Sequence, residues 1–533
     1  MGGDLADICL VGVGHVGGIL AKELGTAGLK VAAFEGGPTP TVKDYGARDA
    51  IRSIVRDKSW TSALGGATLH WTGQSARYQP GDFKIFTNEI ATGLAERAGA
   101  DLTGYDVVDW PLTYDDLEPY YTRYEWEFGI SGLSGDNPFA GPRSREFPLP
   151  PLRTTAKEEL FGPAARKLGY HPYKSAAGVL SESYRPPAPF DTRIPERQAC
   201  VYCGHCNGYG CHVNAKASAL YTVIPVALGT GNVDLHTNCR VIRINTDDSG
   251  RATGVTYLDP EGQVQEQHAR VVIVATGGVA EPARLLLVSG IANSSGMIGK
   301  GICGLGPVAV IGLFDDYVVN SFIGPGSGGL KLDDFNGNNF DHAELGFIRG
   351  GTMSANSLGT PVEAMDVVPP GMPNWGKEYK EYFARYFTRT LRIGITLETL
   401  PHEENLMELD PTKRDAAGLP VPRMSFTFHQ NEHRMALFLA EVGERIMRET
   451  GANTVWSRGL GRTGTRASGG IRMGSDPRTS VVDDRCRAHD VPNLFVVGSA
   501  VFPTVTAYPG TATISALAYR TAEHIIGQRD WFR

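Results

Sequence analysis

The chain has 533 residues, 41% of them hydrophobic, and a formal net charge of −7 from 51 basic and 58 acidic side chains. This composition predicts a globular protein with a large core, divided into two domains or subdomains. The near balance of charge, without a long basic run, argues against nucleic-acid binding. No apolar stretch reaches membrane-spanning length and no signal peptide precedes the first predicted strand, so we expect a cytoplasmic protein.

The first predicted elements form a βαβ unit. An apolar run at 8–11 leads into a Gly-X-Gly-X-X-Gly turn at Gly12, Gly14 and Gly17, followed by a helical pattern and a second strand that ends at Glu35. Free N–H groups at such a helix N-terminus bind a pyrophosphate. The acid, eighteen residues after the third glycine, is spaced to accept hydrogen bonds from a ribose. The unit therefore predicts a dinucleotide site, which by itself fits FAD and NAD equally.

The four cysteines of the next informative segment are Cys200, Cys203, Cys206 and Cys211. Thiolates at this C-x2-C-x2-C-x4-C spacing can hold one iron–sulfur cluster, and the glycines between them supply turns and N–H donors. Four cysteines also suit a tetrahedral zinc, and two local disulfides are a third alternative that a reducing compartment disfavours. We favour an iron–sulfur cluster that relays electrons, with zinc as the main alternative.

The second half of the chain supplies two further glycine turns. A buried strand at 271–275 runs into Gly277, and a late strand runs into Gly498, before an amphipathic helix that begins at Thr511. The positive end of that helix suits the negative charge of a reduced flavin near N1. The pairing of this region with the opening βαβ unit points to a bound flavin.

The predicted domains are interleaved along the chain. A mixed block of strands and helices between residues 305 and 456 is interpreted as the substrate domain. We predict five segments: 1–85, the first part of the FAD-binding domain; 86–199, a connector with part of the substrate domain; 200–304, the cysteine-rich knot and the second FAD-binding part; 305–456, the substrate-binding domain; and 457–533, the third FAD-binding part with the active-site segment.

The order of these motifs resembles the glucose-methanol-choline (GMC) oxidoreductase family from one end of the chain to the other. The matching stretches are 12–35, 65–71, 275–286, 472–474 and 491–496. The resemblance implies an α/β fold with a Rossmann-like FAD-binding domain and an interleaved α+β substrate domain. It also implies a tightly bound FAD and oxidation of an alcohol by hydride transfer to the flavin.

Within the family, the chain is most similar to bacterial sugar, polyol and glycoside dehydrogenases and to pyranose oxidases. In that comparison, the stretch with Gly66 and His70 corresponds to the one whose histidine is covalently joined to the flavin. The alternative is that His70 only packs beside the flavin ring or forms a local hydrogen bond. An amino-sugar alcohol from antibiotic biosynthesis is a special case of the substrate class implied here.

The chain departs from the family at the residues that remove the hydroxyl proton. The family histidine falls on Arg466 in the H-x-x-G-G form of the motif, or on Ile471 in the pyranose oxidase form. The partner asparagine before proline falls on Pro509, beside Tyr508. Neither usual base is present, and an arginine would sooner stabilise an alkoxide than act as a neutral base.

A relocated or altered base is the interpretation that we favour. Arg466 and Tyr508 are nearest in the sequence, and His429, His342 and His402 are available from the substrate domain. We therefore predict an FAD-dependent dehydrogenase with Arg466, Tyr508 and His429 as catalytic candidates, a sugar or polyol substrate, and an electron-acceptor protein as a possible partner. The alternatives are a subunit that keeps FAD for electron transfer or as a scaffold, and an NAD enzyme.

Overall fold

The structure is a computed structural model that describes residues 5–45, 63–356, 359–461 and 465–532. Its strands are β1 Ala6–Val11, β2 Val31–Glu35, β3 Tyr173–Lys174, β4 Val233–Thr237, β5 Arg240–Thr246, β6 Ala252–Leu258, β7 Val264–Val274, β8 Cys303–Leu313, β9 Leu330–Leu332, β10 Gly351–Asn356, β11 Thr390–Glu398, β12 Leu406–Arg414, β13 Pro420–Ser425, β14 Thr454–Arg458, β15 Thr465–Ser468 and β16 Leu494–Val496. Its α-helices are α1 His15–Thr26, α2 Leu94–Ala98, α3 Tyr114–Phe128, α4 Ala156–Lys167, α5 Val223–Gly229, α6 Ala280–Ser289, α7 Pro361–Ala364, α8 Gly376–Tyr386, α9 Gln430–Glu449 and α10 Thr511–Gly527.

The first sheet combines strands from both ends of the sequence. Strands β4, β2, β1, β7 and β16 run parallel in that spatial order, and β5, β6 and the first half of β7 form an antiparallel meander at the side. The central strands are buried on both faces, which fits their continuous apolar sequences. This is the predicted nucleotide-binding sheet. Strands β1 and β2 frame the glycine turn, and β16 pairs with β7, which is the other neighbour of β1.

The second sheet is antiparallel and comes from the middle of the chain. Its spatial order is β14, β8, β11, β10, β9 and β3, and β15 also pairs with β8. Helix α9 packs its apolar face on β8 and β11, where Met435 and Leu439 share a core with Val310 and Ile395. The predicted α/β fold with an interleaved α+β unit is confirmed.

Several local predictions agree with the structure. The turn signals at 247–250 and 259–262 separate β5, β6 and β7. The strand predicted at 271–275 is the end of a longer strand that begins at Val264, since its polar first half pairs with β6. Among the described residues, no helix is both long enough and apolar enough to cross a membrane.

Candidate active site

The N-termini of helices α1 and α10 lie side by side. His15, in the first turn of α1, is bonded through Nε2 to the Ser515 hydroxyl in α10 at 2.8 Å. Burial lowers the pKa of His15 to about 3, so the ring is neutral at physiological pH. Two helix N-termini and their free N–H groups therefore meet beside the glycine turn, as a site for an anionic dinucleotide requires.

The glycines of the turn are required by close backbone contacts. A Cβ atom on Gly17 would lie 1.9 Å from the Gly12 carbonyl oxygen, so the third glycine lets α1 pack against the end of β1. A Cβ on Gly66, whose φ is +58°, would lie 2.9 Å from the Gly14 Cα. The turn at residues 65–66 thus packs directly on the glycine turn after β1. Gly65 donates its N–H to the Val13 carbonyl at 2.9 Å.

Glu35 closes β2 with its carboxylate at the turn. It accepts the N–H of Val13 at 3.0 Å and the N–H of Gly37 at 3.0 Å. Burial raises the pKa of Glu35, and these backbone hydrogen bonds oppose that rise. The bonds fix the carboxylate at the edge of the crevice, where the sequence predicts a ribose.

The remaining predicted cofactor residues surround the ends of β7 and β16. The buried Thr276 Oγ1 has no hydrogen-bond partner among the described residues, next to Gly277 in the turn after β7. Gly498 follows β16 at φ +150°, a conformation that favours glycine. Thr511 is the first residue of α10. An unpaired buried hydroxyl in a glycine-lined crevice fits a bound polar group such as the predicted FAD.

His70 lies between the glycine turn and the cysteine-rich knot, which we define as residues 200–211. Its carbonyl accepts the N–H of Gly208 at 2.9 Å. Its buried Nδ1 has no partner among the residues that the structure describes. Burial, and then the charge of Lys216, lower the pKa of His70. A neutral imidazole with one unpaired nitrogen fits either contact with a flavin or attachment to it.

Lys216 joins the His70 segment to the cysteine-rich knot. Its buried ammonium donates to the carbonyl oxygens of Trp71 at 3.0 Å, Cys206 at 3.0 Å and Tyr209 at 2.7 Å. A second buried lysine, Lys157, lies close enough to Cys206 to interact with its charge. Neither lysine could be identified from the sequence, because both lie in segments without a motif.

The four cysteines lie within electrostatic reach of one another. Burial raises the pKa of the Cys200 thiol, and the other three thiols raise it further. The N–H of Tyr202 donates to the Cys200 sulfur at 3.3 Å, and the Gly326 N–H bonds the Cys206 sulfur. No disulfide joins the described cysteines. The alternative of two local disulfides in the knot therefore gains no support.

One other group of possible metal ligands is present. Ligand atoms of His402, Glu404 and His429 lie within 4.8 Å of one another. Among the residues with described side chains, no three of the four knot cysteines bring their sulfurs within that distance of one another. The rings of His402 and His429 stack at a centroid distance of 3.5 Å. Burial, and then His402, lower the pKa of His429.

Tyr508 lies in a buried polar cluster at the junction of the two sheets. Its hydroxyl donates to Asp333 Oδ2 at 2.5 Å and accepts the Gln79 amide at 3.0 Å. Tyr173, on β3, hydrogen-bonds to both Asp333 and Tyr508. Burial raises the pKa of Tyr508 well above its ordinary value, and the Asp333 charge raises it further. Tyr508 is therefore a hydrogen-bond donor and stays protonated at neutral pH.

Two other candidates, His429 and His342, do not join this cluster. His429 contacts Tyr105 and His402 at the start of α9. His342 is buried and bonds the Arg349 carbonyl at 2.8 Å. The backbone of Arg466 lies on β15, paired with β8, and its side chain lies outside what the structure describes. Tyr508 and His429 are thus in different environments, and the sequence motifs alone did not indicate Asp333.

A buried ionic network lies beside the same junction. The guanidinium of Arg349 contacts Asp82 at 2.6 Å, Glu89 at 2.6 Å and Glu398 at 2.8 Å, and all four side chains are almost fully buried. Burial raises the pKa of Glu398 to about 8, although Arg349 opposes that rise. Burial thus favours the protonated form of Glu398 in this network.

The fold and the site define an α/β oxidoreductase with a dinucleotide crevice. The structure is similar to pyridoxine 4-oxidase from Mesorbium loti, with a TM-score of 0.63, 17% sequence identity, and 97% of this chain and 99% of that chain covered. Residues 189–304 and 401–518 match family models described as GMC oxidoreductase.

Curated relatives match almost the whole chain. The gluconate 2-dehydrogenase flavoprotein of Pantoea cypripedii is 32% identical, over 97% of this chain and 93% of the relative. Paromamine 6'-oxidase of Streptomyces fradiae is 27% identical, over 98% of this chain and 91% of the relative. The chain belongs to the GMC oxidoreductase family. The predictions of family and of an oxidoreductase are confirmed, and membership of the family supports the predicted FAD.

Proposed function

We propose that this chain is an FAD-dependent dehydrogenase that oxidises an alcohol group of a sugar, glycoside, amino sugar or polyol. The observation that carries the proposal is the crevice in which the N-termini of α1 and α10 meet beside the buried Glu35 carboxylate. The substrate class is supported by relatives named for gluconate, paromamine and 2-methyl-1,2-propanediol.

The residues that would hold FAD come from three separate parts of the sequence. Gly12, Gly14 and Gly17 would face the pyrophosphate, and Glu35 the adenosine ribose. Further contacts would come from the turns and helix around the ends of β7 and β16, and from the stretch before Trp71: Gly66, His70, Gly277, Gly498 and Thr511. When bound, FAD accepts a hydride from the carbinol carbon of the alcohol.

An iron–sulfur cluster on Cys200, Cys203, Cys206 and Cys211 is the second part of the proposal. In a tetrahedral zinc site, the sulfur atoms lie about 3.8 Å from one another. No three of these described thiols have their sulfur atoms that close together. A cluster of several irons holds its thiolates farther apart, and amide N–H donors such as those of Tyr202 and Gly326 stabilise it. The buried ammonium of Lys216 would balance its negative charge.

The contact between the knot and the His70 segment supports an electron relay. Lys216 and Gly208 bond the carbonyl oxygens of Trp71 and His70, so a cluster in the knot would lie against the segment predicted to face the flavin. A relay to an acceptor protein would make the chain a dehydrogenase rather than an oxidase. Zinc in the knot would remove that route.

The alternative function is a subunit that holds FAD and has lost alcohol oxidation. The replacement of the family histidine and asparagine motivates it. Anaerobic addition of sugars, polyols and amino sugars to the purified holoprotein tests the two functions. Bleaching of the oxidised flavin band supports the dehydrogenase, whereas a band that persists across the panel supports the alternative. Iron, sulfide and zinc analysis of the same sample identifies the metal.

A further inference from the structure

The strongest unexplained group in the molecule is the carboxylate of Asp333. It is fully buried directly after β9 and accepts hydrogen bonds at Oδ2 from Tyr508 and, at 2.8 Å, from the amide of Asn137; Tyr173 is a further hydrogen-bond partner of this carboxylate. Its second oxygen, Oδ1, is also buried and has no hydrogen-bond partner among the described residues. Buried carboxylate oxygens are rarely left unpaired, because desolvation without a partner is costly. Oδ1 therefore has acceptor capacity that no described residue uses.

The residues around Asp333 favour a ligand rich in hydroxyl groups. One turn further along, the amide of Asn336 is fully buried, and both of its polar atoms lack partners among the described residues. Lys331 lies on the other side, with its ammonium 5.5 Å from the Tyr508 ring centroid. The unpaired Asp333 oxygen and Asn336 amide suit the hydroxyl groups of a sugar or polyol.

The cluster also lies at the segment from which the family residues are missing. Tyr508 directly precedes Pro509, which replaces the family asparagine, and α10 begins two residues later at Thr511. Asp333 reaches this segment from the end of β9, in the second sheet. A carboxylate is thus bonded to the residue beside the position of the missing family asparagine.

We propose that Asp333 is the catalytic base of this enzyme and that Tyr508 positions it. This inference rests on the proposed function. Asp333 Oδ1 takes the hydroxyl proton of the alcohol while the C–H bond breaks. The hydrogen and the electron pair of that bond pass to oxidised FAD as a hydride, and the C–O bond becomes a carbonyl. Tyr508, by donating to Oδ2, holds Oδ1 toward the substrate.

The test compares Asp333→Asn with Asp334→Asn. Asp334 is the adjacent carboxylate and instead bonds the backbone N–H and ring of His171. We expect Asp333→Asn to slow anaerobic flavin reduction by about 10²- to 10⁴-fold, as for loss of a general base, and Asp334→Asn to stay within about twofold of the unmodified protein. If Asp333→Asn reduces the flavin at the unmodified rate, the base is not Asp333. If the unmodified protein is reduced by no alcohol, the proposed function itself has failed.

The pH profile separates proton transfer from a structural role. The charged and titratable groups that face Asp333 or its partner Tyr508 are Tyr173, Lys331 and Asp82. If Asp333 transfers the proton, the pH dependence of flavin reduction in the unmodified protein should be absent in Asp333→Asn. A variant that keeps the full pH dependence contradicts the proposal. Tyr508→Phe should fold and slow reduction by about tenfold, through loss of one hydrogen bond; an unchanged rate would contradict its positioning role.

A measurement without turnover checks the same contact. Tyrosinate formation is followed by ultraviolet difference absorbance at alkaline pH, in protein without substrate. Removing the buried negative charge in Asp333→Asn should let Tyr508 and Tyr173, which both face that charge, ionise at lower pH, and adding Tyr508→Phe should reduce that signal. If the titration does not change, the carboxylate does not hold Tyr508 and the proposal is overturned.

Discussion

The dinucleotide crevice and the polar cluster around Tyr508 differ in how they are built. The crevice depends on backbone contacts of glycines that follow one another within a few residues, such as Gly12 and Gly17. The cluster joins side chains from four distant segments, among them Gln79, Tyr173 and Asp333. The first kind of site has few chemical alternatives and leaves a motif. The second can be rebuilt with other residue types and leaves no motif.

The largest expected effect comes from breaking the crevice with Gly17→Ala. The new Cβ would lie 1.9 Å from the Gly12 carbonyl oxygen, so α1 must move away from β1. We expect a destabilisation of about 3 kcal/mol or more and loss of FAD, measured by thermal unfolding and by flavin absorbance per chain. Gly229→Ala is the control, since its Cβ would meet nothing within 4 Å. Normal flavin content in Gly17→Ala would show that the crevice does not hold the cofactor.

The next effect separates the cysteine-rich knot from the crevice. Cys206→Ser should remove iron and sulfide from the protein while FAD stays bound, because the glycine turn is untouched. Cys239→Ser, at a buried cysteine outside the knot, is the matched control and should keep iron, sulfide and FAD. Metal analysis and the visible spectrum report the result. Iron retained in Cys206→Ser, or zinc in place of iron in the unmodified protein, would refute the proposed cluster.

A smaller effect is expected from Lys216→Met, which removes the charge between the two regions. Three carbonyl oxygens lose their donor, so the free energy of unfolding should fall by about 2 kcal/mol. Loss of a buried positive charge should also lower the reduction potential of a cluster held by the knot. Spectroelectrochemical titration measures that potential. An unchanged potential would mean that the ammonium does not act on the electron relay.

The smallest effect concerns the pH dependence of stability near the polar cluster. Because burial raises the Glu398 pKa from 4.5 to about 8, its contribution to stability is complete below pH 4.5 and is lost as the pH rises through about 8. Glu398→Gln should reduce the loss of unfolding free energy between pH 6 and pH 9 by about 1–3 kcal/mol. Chemical denaturation at both pH values measures it, with the exposed Glu261→Gln as control. Equal losses in the variant and the unmodified protein would contradict the assignment.

Much of the fold could be predicted from the sequence because its signals are local. The Gly-X-Gly-X-X-Gly turn and Glu35 mark β1, α1 and β2, and the helix predicted to begin at Thr511 is found at Thr511–Gly527. Asp333 and Arg349 could not be predicted in the same way. Their importance arises from partners up to about 270 residues away in the sequence, and a lone Asp or Arg carries no pattern.

The bond between His15 and Ser515 joins residues 500 positions apart in the sequence. During synthesis, β1 and α1 emerge from the ribosome long before the helix that completes their binding crevice. The two helix N-termini that border the crevice can therefore meet only after residue 515 has been synthesised.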